Sequence, residues 1–159
     1  MSHTYAGQIT IEPALNWAQV NAVVKGMQTL MAKGGGSRYT KEAIAKGDAT
    51  SIRETLGFGM EIEESSRETE DGTLLVKTCP RLSYRSGEDG CYYLNEADII
   101  NLVVKAAPKS KLNGTLVMVH EEGTQGTKTT VKDNKISATS GIAHMRWADG
   151  TEDLVSKLI

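Results

Sequence analysis

Aromatic residues are scarce in this chain, with one Phe, two Trp and five Tyr among 159 residues. That scarcity weighs against a sheet that reads RNA by stacking bases on exposed rings. Cysteine is limited to Cys79 and Cys91. Two cysteines make no disulfide framework, and a chain of this length can bury about 68–70% of its unfolded surface without one. Both thiols are expected to be reduced. With three histidines, none paired as H-x3-H, and no C-x2-C, the close ligand pairs of a zinc site are missing. No apolar run approaches the roughly 18 residues that a membrane helix needs. The start Met1-Ser2-His3-Thr4-Tyr5 lacks the basic and apolar regions of a signal peptide, so a cytoplasmic protein is expected. The 18 basic and 20 acidic side chains leave a formal charge of −2, which excludes a surface built wholly to coat nucleic acid.

What is present reads as one α+β domain over residues 1–159. Tyr5 to Ile11 alternates with the period of a half-buried strand, and Glu12-Pro13 is expected to end it and open a helix. Trp17, Val20, Val24, Met27 and Met31 form the apolar stripe of that helix, which stops at Gly34-Gly35-Gly36. Residues 34–57 are irregular and read as a flexible insertion. Asp71-Gly72 between two alternating runs predicts a hairpin of strands at about 58–68 and 73–83. Asn95-Glu96-Ala97-Asp98 reads as the start of a second helix, carrying Ile99, Ile100, Leu102, Val103 and Val104. A fourth strand follows over Leu112 to Glu122, then a closing hairpin over Thr127–Val131 and Ile136–Trp147. A short last helix can pack Leu154, Val155, Leu158 and Ile159. The order predicts a ferredoxin-like split βαβ fold, an antiparallel sheet with two helices on one face, extended by a C-terminal β-hairpin.

Chemistry is harder to find. Gly34-Gly35-Gly36-Ser37 follows a helix and lacks the Gly-Lys-Ser/Thr ending of a phosphate loop. No G-x-S-x-G elbow occurs, so nothing points to a nucleophilic serine. His120 and His144 fall on strands expected to be neighbours, which leaves an enzyme built on them as one alternative. Lys105, Lys109, Lys111, Lys128, Lys132 and Lys135 suggest a basic rim and a second alternative, a nucleic-acid or nucleotide binder. The strongest anomaly is acidic: Glu61, Glu63, Glu64, Glu68, Glu70 and Asp71 stand against Arg67 alone. Such a run is ordinarily a charged edge strand that discourages pairing. Its functional reading is a face for a protein partner with a basic surface. Trp17 belongs to the core stripe. Trp147, at a strand end, reads as a core seal or an interface anchor. One of Tyr92 and Tyr93 is expected to face water.

The opening Gly7-x-Ile9-x-Ile11-Glu12-Pro13-x-Leu15-x-Trp17-Ala18 and the ending Arg146-Trp147-x-Asp149-Gly150-Thr151-Glu152 resemble a group of small uncharacterised proteins of actinobacteria and their phages. The resemblance covers the two ends and the general strand order, and it carries no catalytic residues. It implies an accessory role, in which a non-enzymatic interaction protein, phage-encoded, binds and modulates a host protein or defence system. The partner-binding residues are then expected to be Glu61, Glu63, Glu64, Glu68, Glu70, Asp71 and Trp147, with no cofactor and no metal.

Overall fold

Ile9 and Ile11 are buried and Gln8 and Thr10 exposed, as a strand with one face on the core requires. In the computed structural model, which describes residues 4–33, 44–45, 47–84, 96–120 and 122–158, this strand, β1, runs over Thr4–Leu15. It therefore continues through Pro13. Proline has no N–H for a ladder bond, and the β1 pairing shifts register between Thr10 and Leu15, where its absence is tolerated. Helix α1 starts later than expected, at Trp17, and ends at Lys33. Asn16 supplies the start signal: its Oδ1 accepts from the Gln19 amide at 2.9 Å, and Gln19 Oε1 accepts from the Asn16 amide at 3.0 Å. This reciprocal pair satisfies two amides that the first turn cannot.

The buried face of α1 is Val20, Val23, Met27 and Met31. Trp17 is not part of it. It is 37% exposed and lies 5.0 Å beneath the Lys77 ammonium, so the first apolar position of the stripe is a surface ring.

The irregular stretch also needs correction. Residues 49–56 form helix α2, Ala49–Leu56, and Ile44, Ala49, Ile52 and Leu56 are buried in the main core. Asp48 caps α2 by accepting from the Ser51 amide at 2.9 Å, and Gly57, at φ 74°, closes it. The triple glycine and residues 35–43 lie outside the described residues. The Ser51 amide holds the Asp48 carboxyl below its ordinary value. Removing the cap by Asp48→Ala is expected to cost about 1 kcal/mol and lower Tm by about 2–4 °C at pH 7. Because the folded pKa is depressed, that contribution is complete above the unfolded value and disappears as pH falls through the folded one. Thermal melts at pH 7 and pH 2 check both statements.

Strands β2, Phe58–Thr69, and β3, Gly72–Tyr84, form the long hairpin. Helix α3, Glu96–Ala106, buries Ile99, Ile100 and Val103, and Asn95 before it lies outside the described residues. Strand β4 is Lys111–Val119, β5 is Gln125–Lys132 and β6 is Lys135–Ile142. These six strands make one antiparallel sheet in the order β2-β3-β1-β4-β5-β6. The β5–β6 turn is only Asp133-Asn134, both with positive φ, 46° and 72°. That conformation matches the twist of a two-residue hairpin.

The closing strand is shorter than predicted. After β6 the chain leaves the sheet, and β7, His144–Arg146, pairs with β8, Glu152–Leu154, in a separate two-stranded ribbon before a 3-10 turn at Val155–Lys157. The architecture is α+β. Helices α1, α2 and α3 and one face of the sheet share a single core. Each fully buried Ile, Leu or Met in it is worth about 1.5–3 kcal/mol.

Candidate partner-binding arm

The acidic residues stand on β2 and on the turn into β3, and the structure divides them into two groups. At the base, Arg81 Nη2 donates to Glu61 Oε1 and Glu63 Oε1, both at 2.8 Å. The Ser83 hydroxyl donates to Glu61 Oε2 at 2.8 Å and accepts from Arg53 Nη2 of α2 at 2.9 Å. Glu61 is thereby enclosed by two guanidinium groups and a hydroxyl. The Arg81 bond, then the Ser83 bond, hold its carboxyl below the usual range. Glu64 pairs with Lys77 at 3.3 Å. Much of the apparent excess of negative charge is therefore neutralised by Lys77, Arg81 and Arg53, which β3 and α2 bring across from outside the run. A charge reversal at Glu61 would damage the fold as well as any binding face.

The second group lies beyond the core. Every residue from Glu63 to Val76 is exposed, so the distal hairpin is a two-stranded arm of about 20 Å. Its turn, Glu70-Asp71, joins the paired Thr69 and Gly72. The Thr69 hydroxyl donates to the Gly72 carbonyl at 2.9 Å, and Gly72 takes φ 125°, which a residue with a Cβ adopts poorly. Glu68 accepts from the Thr73 hydroxyl at 3.1 Å. The arm also carries an apolar triplet that sequence reasoning did not isolate. Leu74, Leu75 and Val76 are all exposed, Leu75 at 64%. Arg67 pairs with Leu74, Ser66 with Leu75 and Ser65 with Val76, so both faces of the arm present an apolar side chain. The signal was hairpin length: strands of 12 and 13 residues extend past the helices among the described residues.

Trp147 does not seal the core. It is 43% exposed, and its Nε1 donates to Asp153 Oδ2 at 2.7 Å across the β7–β8 ribbon. That ribbon follows β6, at the opposite edge of the sheet from β2. The structure therefore does not bring Trp147 together with the acidic arm.

The histidines also separate. His120 follows β4, with its amide on the Gln125 carbonyl at 2.9 Å. His144 lies in the β7–β8 ribbon, Nδ1 4.0 Å from Glu152 Oε2. His120 stands just past the end of β4, and His144 follows the departure of the chain from the six-stranded sheet at Ala143, so the two do not lie on neighbouring strands. No group of three or more His, Cys, Asp or Glu among the described residues is placed to hold a metal.

Cys79 is buried, and its thiol is pushed up to about 11 by burial, a poor nucleophile at neutral pH. Cys91, Tyr92 and Tyr93 lie outside the described residues. A small pocket of about 50 Å³ is lined by Tyr84, Glu96, Leu116, Met118, Thr127 and Thr129. It admits a water but is well below the size of a substrate site. There the Tyr84 hydroxyl donates to Glu96 at 2.7 Å, and burial, then Glu96, raise its pKa.

The lysines fare better in placement than in chemistry. Strand β4 does lie beside β5 and β6, and Lys105, Lys109, Lys111, Lys128, Lys132 and Lys135 are all exposed. Lys111, Lys128, Lys132 and Lys135 share the sheet face opposite the helices with Thr10, Thr115, Thr130 and Thr139, whereas Lys105 stands on α3 and Lys109 in the loop after it, so the six do not form one rim. Tyr84 instead packs against both Tyr5 and Phe58, with centroids 4.8 and 4.9 Å away and rings tilted by 38° and 45°, so the three are not spread as a base-stacking platform. No helix among the described residues is long and apolar enough to cross a membrane. Comparison with protein-family models, curated proteins and solved structures returns no match.

Proposed function

We propose that this chain is a non-enzymatic interaction module whose β2–β3 arm is the contact element. The strand order β2-β3-β1-β4, with α1 and α3 as the crossovers, supports reading its frame as a ferredoxin-like split βαβ unit. The observation that carries the function is the exposed apolar triplet Leu74-Leu75-Val76 on an arm that also bears Glu63, Glu64, Glu68, Glu70 and Asp71. Apolar anchors inside a charged surround are the composition of a protein-binding patch. The partner has a basic surface beside an apolar depression, with charge steering the encounter and the leucines holding the complex. The resemblance to small actinobacterial and phage proteins directs the search to host proteins in the bacterial cytoplasm, defence factors included.

Capture from host lysate on the immobilised protein tests this reading. Leu75→Glu is expected to weaken retention of the captured partner at least about tenfold, a loss typical of an interface hot spot. Glu68→Lys with Glu70→Lys should slow association and reduce its salt dependence. Neither change touches the core, so both variants should unfold within about 0.5 kcal/mol of the parent. Undiminished capture by both arm variants would reject the arm as the contact element.

A further inference from the structure

The two edges of the six-stranded sheet are built differently. Strand β2 carries Glu61, Glu63, Glu64, Arg67 and Glu68, and its pairing is shifted between Glu61 and Glu63. Charges and a bulge are the devices by which an edge refuses a second strand. Beyond Lys135 at its start, strand β6 has neither. From Ile136 to Ile142 it reads Ile-Ser-Ala-Thr-Ser-Gly-Ile, without charge or proline, and its register with β5 runs unbroken from Lys135 to Ile142. Ser137 to Ile142 are all exposed, Ile142 at 61%.

The turn fixes which backbone groups are unpaired. In a two-residue hairpin with positive φ at both positions, the flanking residues, here Lys132 and Lys135, exchange both hydrogen bonds. Alternation then directs Lys135, Ser137, Thr139 and Gly141 toward β5. The Ala143 amide, bonded to the Thr124 carbonyl at 2.8 Å, continues the same odd-numbered series. Ile136, Ala138, Ser140 and Ile142 turn their N–H and C=O groups outward, where no strand among the described residues meets them, although the Ser140 carbonyl accepts a long bond from the Thr139 hydroxyl at 3.5 Å.

We infer that β6 pairs antiparallel with β6 of a second copy of this chain, joining two sheets across a two-fold axis at Thr139. This register sets Ala138 opposite Ser140 and Ile136 opposite Ile142, and it uses all four outward residues of each copy, up to about eight hydrogen bonds. Thr139 faces its own mate, a favourable cross-strand pair. Lys135 falls opposite Ala143, so no lysine meets a lysine. Shifting the axis to Ala138 or Ser140 loses the Ile136–Ile142 pairs and leaves one end of the strand unused. The depression lined by Gln125, Ser140, Gly141 and Ile142 lies on the face where the mate's Ile136 arrives. A single shared strand is a small interface, so a reversible dimer with Kd on the order of 10–100 µM is expected.

Sedimentation equilibrium of the full chain from about 1 µM to about 500 µM, bracketing that Kd, should show a monomer–dimer transition. Ala138→Pro removes an N–H that no strand among the described residues meets, and Thr139→Lys opposes two ammonium groups at the axis. Both should give a monomer throughout, with thermal unfolding unchanged. In a Cys91→Ser background, Thr139→Cys should form an intermolecular disulfide under mild oxidation, because directly opposed Cβ atoms lie about 4.5–5.5 Å apart. Ser137→Cys should not, since the two copies of that position lie about 13 Å apart at strand spacing. A monomer at every concentration, a dimer that survives both Ala138→Pro and Thr139→Lys, or equal cross-linking at positions 137 and 139 would overturn the inference.

Discussion

Gly114→Ala and Gly7→Ala are each expected to lower the unfolding free energy by about 3–5 kcal/mol, a large share of the 5–15 kcal/mol that holds a typical domain together. For a chain of this size the corresponding fall in Tm is about 10 °C. Two effects add at these positions. Gly7 takes φ 105° and Gly114 φ 153°, which side-chain-bearing residues adopt only with strain. A Cβ on Gly7 would also drive into the Thr115 carbonyl oxygen, and one on Gly114 into the Gln8 carbonyl oxygen. The obstruction is backbone on both sides, so it cannot be relieved by rotating a side chain. It also lies between β1 and β4, where Gly7 pairs with Leu116 and Gly114 with Ile9, at the middle of the sheet.

Two control variants separate the causes. Gly72 has φ 125° but open space where its Cβ would go, so Gly72→Ala carries the strain alone and should cost about 1–2 kcal/mol. At Gly126 no positive φ is recorded, but a Cβ would stand 2.6 Å from the Met118 carbonyl oxygen, so Gly126→Ala isolates the clash. Urea denaturation of the four variants is the measurement. Equal losses at Gly72 and Gly114 would mean that β1 and β4 do not approach as described.

These glycines also mark where the sequence is legible and where it is not. Alternation at Gln8 to Ile11 gave β1 its buried face, and the apolar spacing from Val20 to Met31 gave α1, because both patterns depend on local geometry alone. Asp71-Gly72 located the long hairpin for the same reason. Gly7 and Gly114 carry no such local signature, since the need for glycine arises from a strand more than 100 positions away in sequence. Residues 47–57 misled because α2 is only 8 residues long; its cap and Gly57 were present, but its buried face is only Ala49, Ile52 and Leu56. Trp17 misled in the opposite sense. Its spacing matched the helical stripe, but it lies in the first turn of α1, partly exposed, with Lys77 of β3 over its ring. Of the candidate site, the acidic run was visible in composition. Its division into a neutralised base and an exposed tip depends on Arg81, Lys77 and Arg53, which only pairing and packing bring to it.

That base supplies the other large effect. Arg81→Ala leaves Glu61 and Glu63 sharing one corner without the group that both accept from, and should lower Tm by several degrees. Glu61 and Arg81 are each about one-third exposed, 33% and 31% at the side chain, so solvent screening keeps the loss below that of a fully buried pair. Glu61→Ala removes a carboxylate but strands Arg81 less severely, because Glu63 remains. A double-mutant cycle between the two should return a favourable coupling, and a coupling near zero would dissolve the cluster as a structural unit. Its pH dependence has a definite sign. The folded Glu61 pKa lies below its ordinary 4.5, so its stabilisation is complete above that value and is lost as pH falls through the folded pKa. Glu61→Gln should therefore be less stable than the parent at pH 7, with the two curves converging in acid. Asp48 and Asp149, also lowered, keep a residual acid slope in both proteins. The same cluster sits where the arm leaves the core and ties β2, β3 and α2 together. Loosening it should raise amide exchange from Glu63 to Val76 ahead of global unfolding. If the arm must be held at a fixed angle to engage its partner, Arg81→Ala should weaken capture although no arm-tip residue has changed.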